Sequence, residues 1–196
     1  MRAEPHWVVT IDATLQYLDV KEETMTTTVA FEKPDLWSIV EPWRAIPTET
    51  IVIGERAWQV QRREAVRIDP APIRATTLSF VDALTALNGS DWGILIGDGP
   101  LVNGESTLIV GFEQPELGEI FTEAFDNAPA SVLVPPDDVA QIRQIYRDTS
   151  AAYTLLIGKE SHRVHYARIK VTGPNLRTEV TYEFDYAAPV FIEPPV

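Results

Sequence analysis

From Trp7 the chain alternates. Trp7, Val9, Ile11, Ala13, Leu15 and Tyr17 occupy the odd positions, and Thr10, Asp12, Thr14 and Gln16 lie between them. A period of two belongs to a strand with one face covered, so this segment predicts a long half-buried strand. Met25, Thr27, Val29 and Phe31 repeat the pattern up to Lys33-Pro34-Asp35, where proline ends the ladder. A short strand follows from Leu36 to Val40. Near the other end, Arg163 to Val171 and Arg177 to Phe184 alternate again and are joined by the turn residues Gly173-Pro174-Asn175.

Three short echoes lie between these strands: Ile51-Val52-Ile53-Gly54-Glu55, Ile94-Leu95-Ile96-Gly97-Asp98 and Leu155-Leu156-Ile157-Gly158-Lys159. Each reads as a strand running into a hairpin, with its glycine supplying positive φ at the turn. Asn103-Gly104, flanked by apolar residues, is a further hairpin signal that needs positive φ at both turn positions.

Three segments change to helical spacing. Leu78, Val81, Leu84 and Leu87 stand three apart, opened by Ser79 and Asp82 and closed by Asn88-Gly89. Glu116 to Phe125 and Pro136 to Tyr146 predict two more helices, the latter with proline and acids in its first turn. Nothing in the composition divides the chain, so residues 1–196 are read as a single domain. The order of elements does not alternate βαβ. It predicts an α+β fold: a strongly curved antiparallel sheet of about eight to eleven strands with helices packed in its concave face.

Composition narrows the chemistry. The 196 residues are 45% apolar, enough for a sizeable core. Sixteen Lys and Arg against twenty-nine Asp and Glu give a net charge of -13, which repels nucleic acid. Absence of cysteine removes thiol nucleophiles and cysteine zinc sites. No zinc-protease helix motif, phosphate loop or nucleophile elbow occurs. His162 and His165, three apart on a strand, would face opposite sides and share no metal; both are read as surface residues, and no cofactor, metal or catalytic residue is assigned. Asp137-Asp138 and Glu22-Glu23 are read as solubilising or helix-capping acids.

Large apolar side chains at sheet-facing positions remain. They suit a packed core or the lining of a cavity. Several segments bear on that choice: FEKPDLWSIVEPW (31–43) leading into PTETIVIGERAW (47–58), then DGPLVNGESTLIVGFE (98–113), YTLLIGKESHRVHYARIKVTGP (153–174) and TYEFDYAAPVFIEPPV (181–196). In this order they resemble LolA-like bacterial lipoproteins. The resemblance implies a half-open β-barrel wrapped around helices, with a hydrophobic cavity between them that takes lipid or lipoprotein acyl chains and an envelope protein as a further partner. It also implies an extracytoplasmic setting, the leader and lipid-attachment cysteine having been removed. The cavity lining it suggests is Ile11, Leu15, Met25, Val29, Phe31, Trp37, Trp58, Val110, Phe112, Tyr182 and Phe184, with Leu78, Val81 and Leu84 on the lid. Two other readings stay open: an interaction module with a filled core, and a hydrolase using carboxylates dispersed along the chain.

Overall fold

The computed structural model describes residues 5–17, 22–33, 35–71, 94–114 and 148–195. Its framework is one eleven-stranded sheet, antiparallel throughout. In chain order the strands are β1 (His6–Tyr17), β2 (Glu23–Glu32), β3 (Leu36–Glu41), β4 (Thr48–Ile53), β5 (Arg56–Gln61), β6 (Glu64–Ile68), β7 (Ile94–Val102), β8 (Glu105–Gln114), β9 (Ser150–Gly158), β10 (Val164–Thr172) and β11 (Leu176–Asp185). Across the sheet they run β6-β5-β4-β3-β2-β1-β11-β10-β9-β8-β7. Two meanders are thus joined where β1 pairs with β11.

The sheet is open and uncurled, with β6 and β7 as its edges, which corrects the expected strong curvature. Sharp bends come from bulges. Here register breaks occur only between β7 and β8 and between β9 and β10, while every pairing from β10 through β1 to β6 is unbroken. Period-two alternation does not report where bulges fall. The helices predicted at 78–87, 116–125 and 136–146 lie outside the described residues.

Turn chemistry explains most of the connections. Asn103 (φ 52°) and Gly104 (φ 81°) form the expected two-residue turn between β7 and β8, both in the left-handed region. Gly54 (φ 53°) opens the β4–β5 turn as its echo predicted. The other two echoes mislead. Gly97 lies within β7 at a register break, and at the β9–β10 turn the positive φ belongs to His162 rather than Gly158.

The β5–β6 turn is built from Arg62 (φ 50°) and Arg63 (φ 70°), side-chain-bearing residues in a region that costs about 1–2 kcal/mol each. Replacing this pair with Asn-Gly, which suits the same geometry, is expected to raise unfolding free energy by about 1–2 kcal/mol. Urea denaturation measures it. An unchanged midpoint would mean that this turn adopts a different backbone.

Candidate functional site

Directly opposed residues of an antiparallel pair point to the same face of the sheet, so the registers assemble the faces row by row. Ile11 lies opposite Thr27 and Tyr182, Tyr182 opposite Ala167, Ala167 opposite Leu155, and Leu155 opposite Val110. The next row carries Met25, Ala13, Val180, Ile169, Tyr153 and Phe112. Toward the other end of β1, Val9 faces Val29 and Phe184, and the row of Trp7 runs through Phe31, Trp37, Val52 and Ala57. Leu15 continues the same side of β1.

Ile11, Leu15, Met25, Val29, Phe31, Trp37, Val110, Phe112, Tyr182 and Phe184 therefore share one face. Trp58 does not join them. It pairs with Ile51 and Arg67, whereas its neighbour Ala57 takes the position opposite Val52. The short turn at Gly54-Glu55 fixes that register, and register rather than side-chain size decides the face. Leu78, Val81 and Leu84 lie outside the described residues.

Within this face the packing is uneven. Trp7 (3% exposed), Val9, Val29, Trp37 and Phe184 form a buried cluster. The ring of Trp7 lies 5.4 Å from Phe31, 5.8 Å from Trp37 and 6.2 Å from Phe184, the last two edge-on. Ala151, Val171 and Leu176 form a second, smaller cluster. Between the two lie half-buried apolar side chains: Ile11, Ala13, Met25, Val180, Tyr182, Tyr153 and Val110. This patch is the candidate site. Burial raises the phenol pKa of Tyr182 to about 12, Tyr153 adding to the effect, and burial also raises that of Tyr153. Both rings stay neutral, and Tyr153 stacks on Phe112 with centroids 4.3 Å apart. Tyr153 is absent from the sequence-derived lining. Its signal was the alternation Ala151, Tyr153, Leu155, which leads directly into the Leu155 echo.

A second constellation gathers around Glu105, the first residue after the Asn-Gly turn. Its Oε1 accepts from the backbone N–H of Ser161 (2.7 Å) and Glu160 (2.9 Å), and its Oε2 accepts from the Ser161 hydroxyl (2.8 Å). His165 Nε2 lies 2.9 Å from Oε2 and donates to it. The Ser161 N–H foremost, then His165, holds this carboxyl at about 2. His165 is only 8% exposed, which corrects its reading as a surface residue; His162, in the turn, is exposed. The β9–β10 register shifts between Val164 and Tyr166, at His165, a break that alternation alone does not anticipate. With the proton on Nε2, His165 Nδ1 is left as a buried acceptor with no partner among the described residues. Serine and histidine here both converge on the carboxylate rather than forming a relay, so the group ties β8 to the β9–β10 turn. Among the described residues, no cluster of three or more His, Asp or Glu could hold a metal ion.

No family model and no curated protein matches this sequence. Among solved structures, the chain is similar to LprF from Mycobacterium bovis: TM-score 0.54 at 15% identity, covering 99% of this chain and 90% of that one. It also matches the LolA superfamily protein NE2245 from Nitrosomonas europaea, with TM-score 0.34, 8% identity and coverage of 93% and 86%. The chain shares its fold with LprF. At 15% identity the likeness extends to architecture and not to individual side chains. What the sheet offers at this site comes from its own residues.

Proposed function

We propose that this protein is a noncatalytic carrier or sensor of hydrophobic ligands, and that acyl chains of lipids or lipoproteins lie along the half-buried patch. The observation that carries this reading is the apolar band from Met25 on β2 to Val110 on β8, in which Ile11, Ala13, Met25, Val180, Tyr182, Tyr153 and Val110 stay half-buried between two packed clusters. An acyl chain of about sixteen carbons gains roughly 12 kcal/mol gross at ~0.8 kcal/mol per methylene. Association and ordering cost ~4–15 kcal/mol, so a useful affinity requires most of the chain to be covered. Met25 is pliable and suits variable ligands. An extracytoplasmic setting and an envelope partner that gives or receives the ligand belong to the same reading, on the strength of the resemblance to LolA-like lipoproteins.

A second reading, a protein-interaction module with a filled core, draws on the edge strand β7, where Leu95, Ile96 and Leu101 are exposed. That edge carries Pro100 and two register breaks, features that resist strand addition.

Ala13→Trp, in the middle of the patch, separates the two. In a carrier the indole occupies ligand space and weakens binding of a neutral fluorescent acyl probe by about tenfold, with little loss of stability. In a filled core it overpacks and costs about 1–3 kcal/mol. Mass spectrometry of organic extracts from the purified protein gives the companion test. Unchanged probe binding together with a lipid-free extract would favour the module.

A further inference from the structure

On the face away from the apolar patch, the seam of β1, β11 and β10 forms a cleft of about 350 Å³. Register builds it from two rows of side chains. Gln16, Arg177 and Thr172 lie directly across from one another, and Thr14, Glu179 and Lys170 form the neighbouring row. Glu22 ends the first row on the β2 side: it precedes Glu23, which pairs with Leu15, and it lines the same cleft.

Charge in this cleft is unevenly placed. Glu179 stands directly opposite Lys170, yet its Oε2 accepts from Arg168 Nη2 at 2.7 Å, one row further toward the start of β10. That bond draws the carboxylate away from the Arg177 row. Lys170 and Arg177 are diagonal neighbours on adjoining strands, about 7–8 Å apart at Cα, so side chains of their length can meet on one ligand. Both are exposed. The Arg177 guanidinium offers a planar fork of donors suited to phosphate, and Lys170 adds a point charge. Thr172 and Gln16 flank Arg177 and add a hydroxyl and an amide. Beyond Gln16, the Glu22 carboxylate is an acceptor, which suits a ligand hydroxyl and repels a second anionic group.

We infer that this cleft binds a small phosphate monoester carrying hydroxyl groups, with the phosphate held by Arg177 and Lys170 and the hydroxyls meeting Gln16 and Glu22. A phosphate monoester carries about −1.5 to −2 charge near pH 7, which two cations match. The net charge of -13 works against polyanions and anionic bilayers, so the ligand is a dissolved molecule rather than a membrane surface. The site lies across the sheet from the patch and is independent of the carrier reading.

Titration with glycerol 3-phosphate, followed by amide NMR, tests this directly. Shifts at Gln16, Thr172 and Arg177 should saturate with a dissociation constant of about 1 mM or below. Glycerol, and glycerate with a carboxylate in place of the phosphate, should bind at least about tenfold more weakly. The paired substitution Lys170→Gln and Arg177→Gln, at exposed positions, should weaken glycerol 3-phosphate about tenfold or more. Arg56→Gln with Arg67→Gln makes the same change in net charge on the same face, at least five strand spacings from β11, or about 24 Å. That distance exceeds the Debye length, so the affinity should change by less than about twofold. Shifts that do not saturate, glycerol or glycerate binding as well as the phosphate, an affinity indifferent to the loss of Lys170 and Arg177, or equal losses in the two paired variants would overturn the assignment. Retention of the protein on phosphatidylglycerol vesicles, abolished by Lys170→Gln with Arg177→Gln, would overturn it in favour of a bilayer surface.

Discussion

Trp7→Ala is expected to remove about 3–5 kcal/mol of stability, against the 5–15 kcal/mol typical of a native domain. Trp7 is 3% exposed, and its ring contacts three other aromatic rings contributed by β2, β3 and β11. Truncation leaves a cavity that these strands cannot close, because their registers hold them about 4.8 Å apart. Urea denaturation followed by far-ultraviolet circular dichroism measures the loss without relying on tryptophan emission. Trp43 provides the comparison. It is 42% exposed and donates from Nε1 to Thr27 Oγ1 at 3.1 Å, so Trp43→Ala should cost about 1 kcal/mol or less. Equal losses at the two positions would show that the cluster around Trp7 is not packed as described.

Acid should act through Glu105. Its folded-state pKa of about 2 lies below the ordinary 4.5 because backbone N–H groups and His165 favour the charged form. A carboxyl depressed in this way binds its proton more readily in the unfolded chain, so its contribution to stability is fully present above about pH 4.5 and fades as the pH falls toward about 2. Glu105→Gln should flatten this part of the stability profile. It should also lower stability at neutral pH, since an amide has a single acceptor oxygen for the four donors now sharing the carboxylate. Urea midpoints for parent and variant across the acid range decide the matter. Parallel profiles would exclude Glu105 as the source.

Strand positions were largely legible because alternation is the direct imprint of a sheet covered on one side. β1, β2, β3, β10 and β11 begin and end within one or two residues of where the hydrophobic pattern places them. Features that depend on register were not legible. Trp58 looks like a core residue by size, yet the turn before it puts Ala57 on the patch side. His165 sits at a break in the β9–β10 register, and its carboxylate partner is 60 positions away. Tyr153 carried a readable signal that the Ile-Gly echo obscured. The missing curl has the same origin, since bending is set by a few irregular positions that leave little trace in average hydrophobicity.

The seam between β1 and β11 has a consequence for how the chain is made. Thr14 and Thr178, which meet there, are 164 positions apart. A nascent chain leaving the ribosome at about 5–20 residues per second can complete the first meander early. Its outermost strand must then wait, one greasy edge unzipped, until the last strand emerges. During that interval the growing polypeptide presents an adhesive border to its neighbours.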